Sequence, residues 1–150
     1  MKAKKFAMLA LVIGIGLIVV FELELPVNVQ IGNLVIRGVT VKTSGIGISL
    51  GLEVHNLELS VLQIFGSDID VKINRFTVIN LNGISGAIPG KTSQTLDFSI
   101  EICWNLFELA ELSQSEVILL GFTIELIGIL NSNFRDIPVQ EIIEITADML

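Results

Sequence analysis

The sequence is poor in the groups that carry chemistry. In 150 residues it has one cysteine, one histidine, no tyrosine, three prolines and nine basic residues against sixteen acidic ones. A single cysteine, Cys103, excludes an internal disulfide framework and a multi-cysteine zinc site. One histidine, His55, leaves little for acid–base or nucleophilic catalysis. A formal charge of −7 repels phosphate, and no basic cluster follows residue 5, so nucleic-acid binding is not expected. What the chain does have is apolar surface. Hydrophobic residues make up 51% of it, enough to offset the entropy of ordering, so disorder is excluded.

The N-terminus sets an expected location. Lys2, Lys4 and Lys5 precede sixteen residues without a charge, Phe6 to Phe21. The candidate anchor residues are Phe6, Leu9, Leu11, Val12, Ile13, Leu17, Ile18, Val19, Val20 and Phe21. As a helix this stretch spans roughly 24 Å, slightly short of a bilayer core of about 30 Å, and lysine snorkelling covers the difference. A cleaved signal peptide would need small residues before a polar exit. The only such pair, Gly14 and Gly16, is followed by more apolar residues. An uncleaved single-pass anchor in the cell membrane is therefore expected. The lysine bias places residues 1–5 in the cytoplasm and residues 22–150 outside it. Pro26 ends the helix.

Beyond a linker over 22–33, the period changes from 3.6 to 2. Val35, Arg37, Val39 and Val41 are read as one face of a first strand. Ile46, Ile48, Leu50, Leu52 and Val54 alternate with small or polar residues and predict a half-buried strand. Ile69 to Ile73, Phe76 to Leu81 and Leu96 to Ile102 follow as further strands, with turns at Asn82-Gly83 and Pro89-Gly90. Trp104 to Leu112 is read as one short amphipathic helix. Val117 to Leu130 is apolar on both faces and predicts a central strand. Phe134 to Ile145 is the last strand, and Pro138 puts it at an edge. About seven strands with one short helix, and turns every ten or so residues, predict an all-β antiparallel sandwich of the immunoglobulin or fibronectin III kind over 34–150.

The segment Gly38 to Asn56 resembles the group 2 late embryogenesis abundant proteins, also called the water-stress and hypersensitive-response domain. In that family an opening strand precedes a long alternating strand that ends in Val-x-Asn-Pro. A second alternating strand resembles Gln94 to Ile102, a helix follows, and a closing hairpin resembles Val117 to Ile145. Only Asn56 of the Asn-Pro pair is present, since Leu57 stands where the proline would be. The role expected for Asn56 is to satisfy backbone groups at the strand end. The resemblance implies a membrane-anchored, non-enzymatic β-sandwich linked to desiccation and other stress, with no cofactor. Some related domains are suspected of holding lipid.

Other motifs read as structure. Gly86 to Thr92 has three residues between its glycines where a phosphate loop needs four, and a strand follows it where a helix is required. Gly45, Gly47 and Gly51 imitate a dinucleotide fingerprint, but no helix follows them, so close approach of a neighbouring strand is expected instead. His55, Asp68 and Asp70 lack the companions of a metal site. The carboxylate pairs Glu108 with Glu111 and Glu141 with Glu144 are read as solvated, and Cys103 as structural. No catalytic or metal-binding residue is expected.

Three functions fit these observations. The first is a tethered protective or scaffolding domain. The second is a module that binds or transfers lipid in an apolar groove lined by Trp104, Phe107, Ile118, Leu120 and Phe122. The third is a subunit of a surface filament or envelope assembly with protein partners, against which Lys5-Phe6 stands where a pilin-type processing site needs glycine.

Overall fold

The computed structural model describes residues 9–12, 17–20 and 28–150. The basic tail and most of the expected anchor lie outside the described residues. Within that anchor, the backbones of β1 (Leu9–Val12) and β2 (Leu17–Val20) pair with each other as antiparallel strands and with no other strand. Among the described residues no helix is long and apolar enough to cross a membrane.

Eight further strands follow: β3 (Val29–Val41), β4 (Gly45–Asn56), β5 (Leu62–Ile73), β6 (Phe76–Leu81), β7 (Gly86–Ile88), β8 (Thr92–Cys103), β9 (Phe122–Ser132) and β10 (Ile137–Ile145). Two short helices, α1 (Trp104–Leu109) and α2 (Gln114–Leu120), join β8 to β9. A 3-10 turn, Ala147–Met149, closes the chain. One sheet has the order β3-β4-β8. The other has the order β10-β9-β5-β6, with β7 also on β5, and all pairings are antiparallel.

Strand β4 is central to the first sheet because its alternation is uninterrupted. Ile46, Ile48, Leu50, Leu52 and Val54 are each at most 1% exposed. Each such side chain contributes about 1.5–3 kcal/mol relative to exposure. They join inward residues of β5, β8, β9 and β10 in one core. Gly47 and Gly51 explain the glycine spacing on the opposite face of β4. A Cβ at Gly51 would lie 2.7 Å from Thr95 and 3.0 Å from Arg37, and one at Gly47 would lie 3.3 Å from Glu101. Across these low points Arg37 of β3 reaches Asp97 of β8 at 2.8 Å, and Lys42 reaches Glu101 at 2.6 Å. The ion pairs therefore bridge the sheet's two outer strands over the middle one.

Several expectations need correction. Strand β3 starts at Val29, inside the stretch read as linker. Register shifts between Ile31 and Leu34, and between Ile36 and Gly38, break its period. After the second shift Val39 and Val41 pair with the inward Ile48 and Ile46, while Val35 and Arg37 lie on the outward side, so the four do not share one face. Strand β5 starts at Leu62 for the same reason, with an irregularity between Ile64 and Gly66 hiding its first half. Asn82-Gly83 is not a hairpin turn. Strands β6 and β7 continue one register on β5, and the gap between them is closed by buried Ser67. The Ser67 hydroxyl donates to Leu81 O at 2.8 Å and accepts from Ile84 N–H at 3.2 Å. Pro138 does sit on an edge strand, where its missing N–H costs no pairing.

The largest correction is α2. Val117 to Leu120 is helix, and the strand read from Val117 begins at Phe122. Ser113 caps this helix. Its hydroxyl accepts from Glu116 N–H at 3.2 Å, and the Glu116 carboxylate accepts from Ser113 N–H at 3.0 Å. That reciprocal box satisfies two N–H groups left without partners by the helix start. Gly121 ends it with φ 76° and ψ −170°, a conformation reserved for glycine.

Candidate functional site

The two poles of the sandwich hold every residue that the sequence singled out for a role in recognition. At one pole, where β3 begins and β4 ends, Asn56 is fully buried. Its Nδ2 donates to Ser60 O and Ile88 O, both at 2.9 Å, with a longer contact of 3.3 Å to Pro89 O. Its Oδ1 accepts from Glu58 N–H at 3.0 Å. The amide orientation is fixed, because a flipped side chain would set its oxygen against three carbonyls. One side chain thus ties the β4–β5 loop to the β7–β8 turn. Glu58 adds a second tie. Its Oε2 accepts from Asn28 N–H at 2.8 Å and its carbonyl accepts from Lys91 N–H at 3.0 Å. Sequence reading gave no role to Glu58, and no local pattern marks it, since both partners are distant in the sequence.

At the opposite pole the five groove candidates separate into two groups. Trp104, Phe107 and Phe122 come together. Phe107 is fully buried, with its ring 5.6 Å from Trp104 and 4.9 Å, edge to face, from Phe122. These rings fill one another's space, an arrangement worth about 0.5–1.5 kcal/mol per pair beyond burial. Trp104 donates from Nε1 to Thr43 O at 3.0 Å, which pins it to the β3–β4 turn rather than leaving it as a lid. Ile118 and Leu120 lie on α2 and face outward, with Leu120 76% exposed and neighbouring Leu119 72% exposed. The five therefore do not line a common groove. The expectation failed because a run of four apolar residues, Val117 to Leu120, has no readable period. Ser113 and Glu116 at capping-box spacing were the available signal for a helix.

Between the poles the outward faces mix polar side chains with exposed apolar ones such as Val35 and Ile142. Ser93 and His55 are cross-strand partners on β8 and β4. The Ser93 hydroxyl meets His55 Nδ1, and His55 Nε2 lies 3.3 Å from Glu53 Oε1. A tautomer protonated at Nε2 satisfies both contacts. The connectivity is that of a serine–histidine–carboxylate chain, yet it lies on the open face of a sheet. Two surface depressions lie elsewhere. One, of about 390 Å³, is bounded by Lys72, Arg75, Phe122, Glu125 and Ile142. The other, of about 370 Å³, includes Asn80, Gly83 and Asp97. Asp68 and Asp70 both accept from Asn80 Nδ2, at 2.8 and 3.0 Å. Glu141 and Glu144 stand on opposite faces of β10, so they form no carboxylate pair. Cys103 is exposed and free. Among the described residues no three histidine, cysteine or acidic side chains converge on a metal position. The Glu116 carboxyl is held below its ordinary range, first by the Ser113 N–H and second by the Ser113 hydroxyl.

No protein-family model matches the chain, and no curated protein sequence does. Solved structures are similar in fold. A protein from Archaeoglobus fulgidus aligns over 77% of this chain and 94% of its own, at 11% identity and a TM-score of 0.55. A solution structure assigned to the late embryogenesis abundant (LEA) proteins aligns over 84% of this chain and 76% of its own, at 15% identity and a TM-score of 0.44. The first likeness establishes a shared fold and nothing about activity.

Proposed function

We propose that the chain is a non-catalytic β-sandwich domain of the late embryogenesis abundant type 2 kind, tethered to a membrane by residues 6–21 and displayed outside the cytoplasm. Its role there is stress protection or scaffolding. The observation that carries the family reading is Asn56, which ends the long alternating strand and satisfies four backbone groups around it. The order β3-β4-β8 facing β10-β9-β5-β6 supports the immunoglobulin-like arrangement of strands.

The tether rests on composition. Sixteen uncharged, mostly large apolar residues follow three lysines, and the next basic residue is Arg37. In hydrocarbon every backbone polar group must find its partner within the segment or in a closed barrel. An isolated pair such as β1 with β2 leaves its outer edges open, so the proposed tether requires a helix in the bilayer in place of that pair. The non-catalytic reading rests on the open setting of Ser93, His55 and Glu53. Acyl transfer needs donors preorganised around a developing oxyanion in a site that excludes water, and an open sheet face supplies no such enclosure.

Vesicle flotation tests the tether. Full-length protein reconstituted from detergent into phosphatidylcholine vesicles should float with them. The Ile13→Lys, Ile18→Lys variant should stay at the bottom of the gradient, because each central lysine costs about 2.5–3.5 kcal/mol of insertion. Wild-type protein that remains at the bottom contradicts the proposal.

A further inference from the structure

The loop from β4 to β5 is inside out. It reads Leu57-Glu58-Leu59-Ser60-Val61, and its apolar members face solvent, with Leu59 85% exposed. Its one charged member, Glu58, is half-buried and accepts from the Asn28 N–H at 2.8 Å. The loop is not slack. Asn56 holds Ser60 and Glu58, and Asn133 Nδ2 donates to Val61 O at 3.1 Å. These ties fix Leu57, Leu59 and Val61 pointing outward. Phe65, also exposed, extends the apolar surface along β5, and Lys91 is exposed in the adjacent β7–β8 turn.

The described chain enters the domain beside this loop, at Asn28. Leu57 N–H donates to Asn28 O at 2.8 Å, directly beside the Glu58 contact. Only residues 22–27 separate Asn28 from Phe21, and the seven steps between them span at most about 25 Å. The exposed apolar loop is thus held within a short reach of whatever takes up residues 6–21. The other apolar pole, with Leu119 and Leu120, lies roughly 40 Å away along twelve-residue strands.

We infer that the pole formed by Leu57, Leu59 and Val61 rests in the headgroup–acyl boundary of the bilayer that holds residues 6–21. Lipid is the partner of this surface. The inference rests on the tether reading. Side chains of this kind, presented by a fixed loop, enter the boundary without reordering the domain, and Lys91 stands where lipid phosphates would meet it.

The test uses full-length protein in phosphatidylcholine vesicles, in a Cys103→Ser background. An environment-sensitive fluorophore is placed at Leu59→Cys or at Leu119→Cys. A lipid-borne spin label should quench the Leu59→Cys probe at least about twofold more than the Leu119→Cys probe, as expected for insertion of about 5–10 Å into the boundary. Equal, weak quenching at both sites in protein that floats overturns the docking and leaves the tether intact. A shielded Leu59→Cys probe that responds to neither lipid nor aqueous quencher also overturns it, by showing a protein cover such as a second copy. Protein that does not float overturns the tether, and the docking with it. The Leu59→Asp, Val61→Asp variant gives an independent check. It should float as well as wild type while Lys91 becomes more open to an aqueous amine reagent.

Discussion

Asn56 shows how one side chain can organise a pole. Its two amide hydrogens serve three carbonyls, and its oxygen serves one N–H, all in a fully buried position. Replacing it by alanine leaves buried backbone groups without partners. The expected cost is roughly 2–4 kcal/mol, read as a lower denaturant midpoint with an unchanged slope. Asn56→Asp should be at least as damaging, since it sets a carboxylate against carbonyl oxygens. An Asn56→Ala variant with an unshifted midpoint would remove the residue from this role. This asparagine was legible in the sequence through the resemblance to a family whose long alternating strand ends in Val-x-Asn-Pro. Its partner Glu58 was not, because its bonds to Asn28 and Lys91 span 30 and 33 residues of sequence, which no local pattern records.

Elements were legible where the period was regular. Strands β4 and β8 follow plain alternation, and Pro138 marks β10 as an edge. Strands β3 and β5 were only half legible, since a bulge shifts the inward face by one residue and erases the pattern that reveals it. Helix α2 was misread because four contiguous apolar residues suit a strand as well as a helix. Its capping box makes a prediction at this scale. Ser113→Ala should cost about 1 kcal/mol, measured by chemical unfolding at neutral pH. Glu116 has a folded-state pKa below its unfolded value, so its contribution is present above the ordinary glutamate value of 4.5 and is lost as pH falls through the lowered folded value. The stability advantage of wild type over Glu116→Gln should therefore shrink on acidification through that range. An advantage that stays constant with pH would show that the carboxylate charge plays no part in the cap.

At the scale of the molecule, the two poles differ in how they are joined to the rest of the chain. One takes in the chain at Asn28 beside a fastened apolar loop, and the other carries the exposed apolar face of α2. Between them, the β3-β4-β8 sheet is laced by ion pairs of Arg37 with Asp97 and Lys42 with Glu101. On the proposed tether, the lysine bias at the N-terminus would set the orientation, with the sandwich outside. Orientation is the central claim, and impermeant thiol labelling of intact cells tests it directly. Cells producing the full chain in a Cys103→Ser background would carry one cysteine, at Leu119→Cys or at Ala3→Cys. The account predicts that Leu119→Cys is labelled in intact cells and that Ala3→Cys is labelled only after lysis. Labelling of Leu119→Cys only after lysis would contradict it.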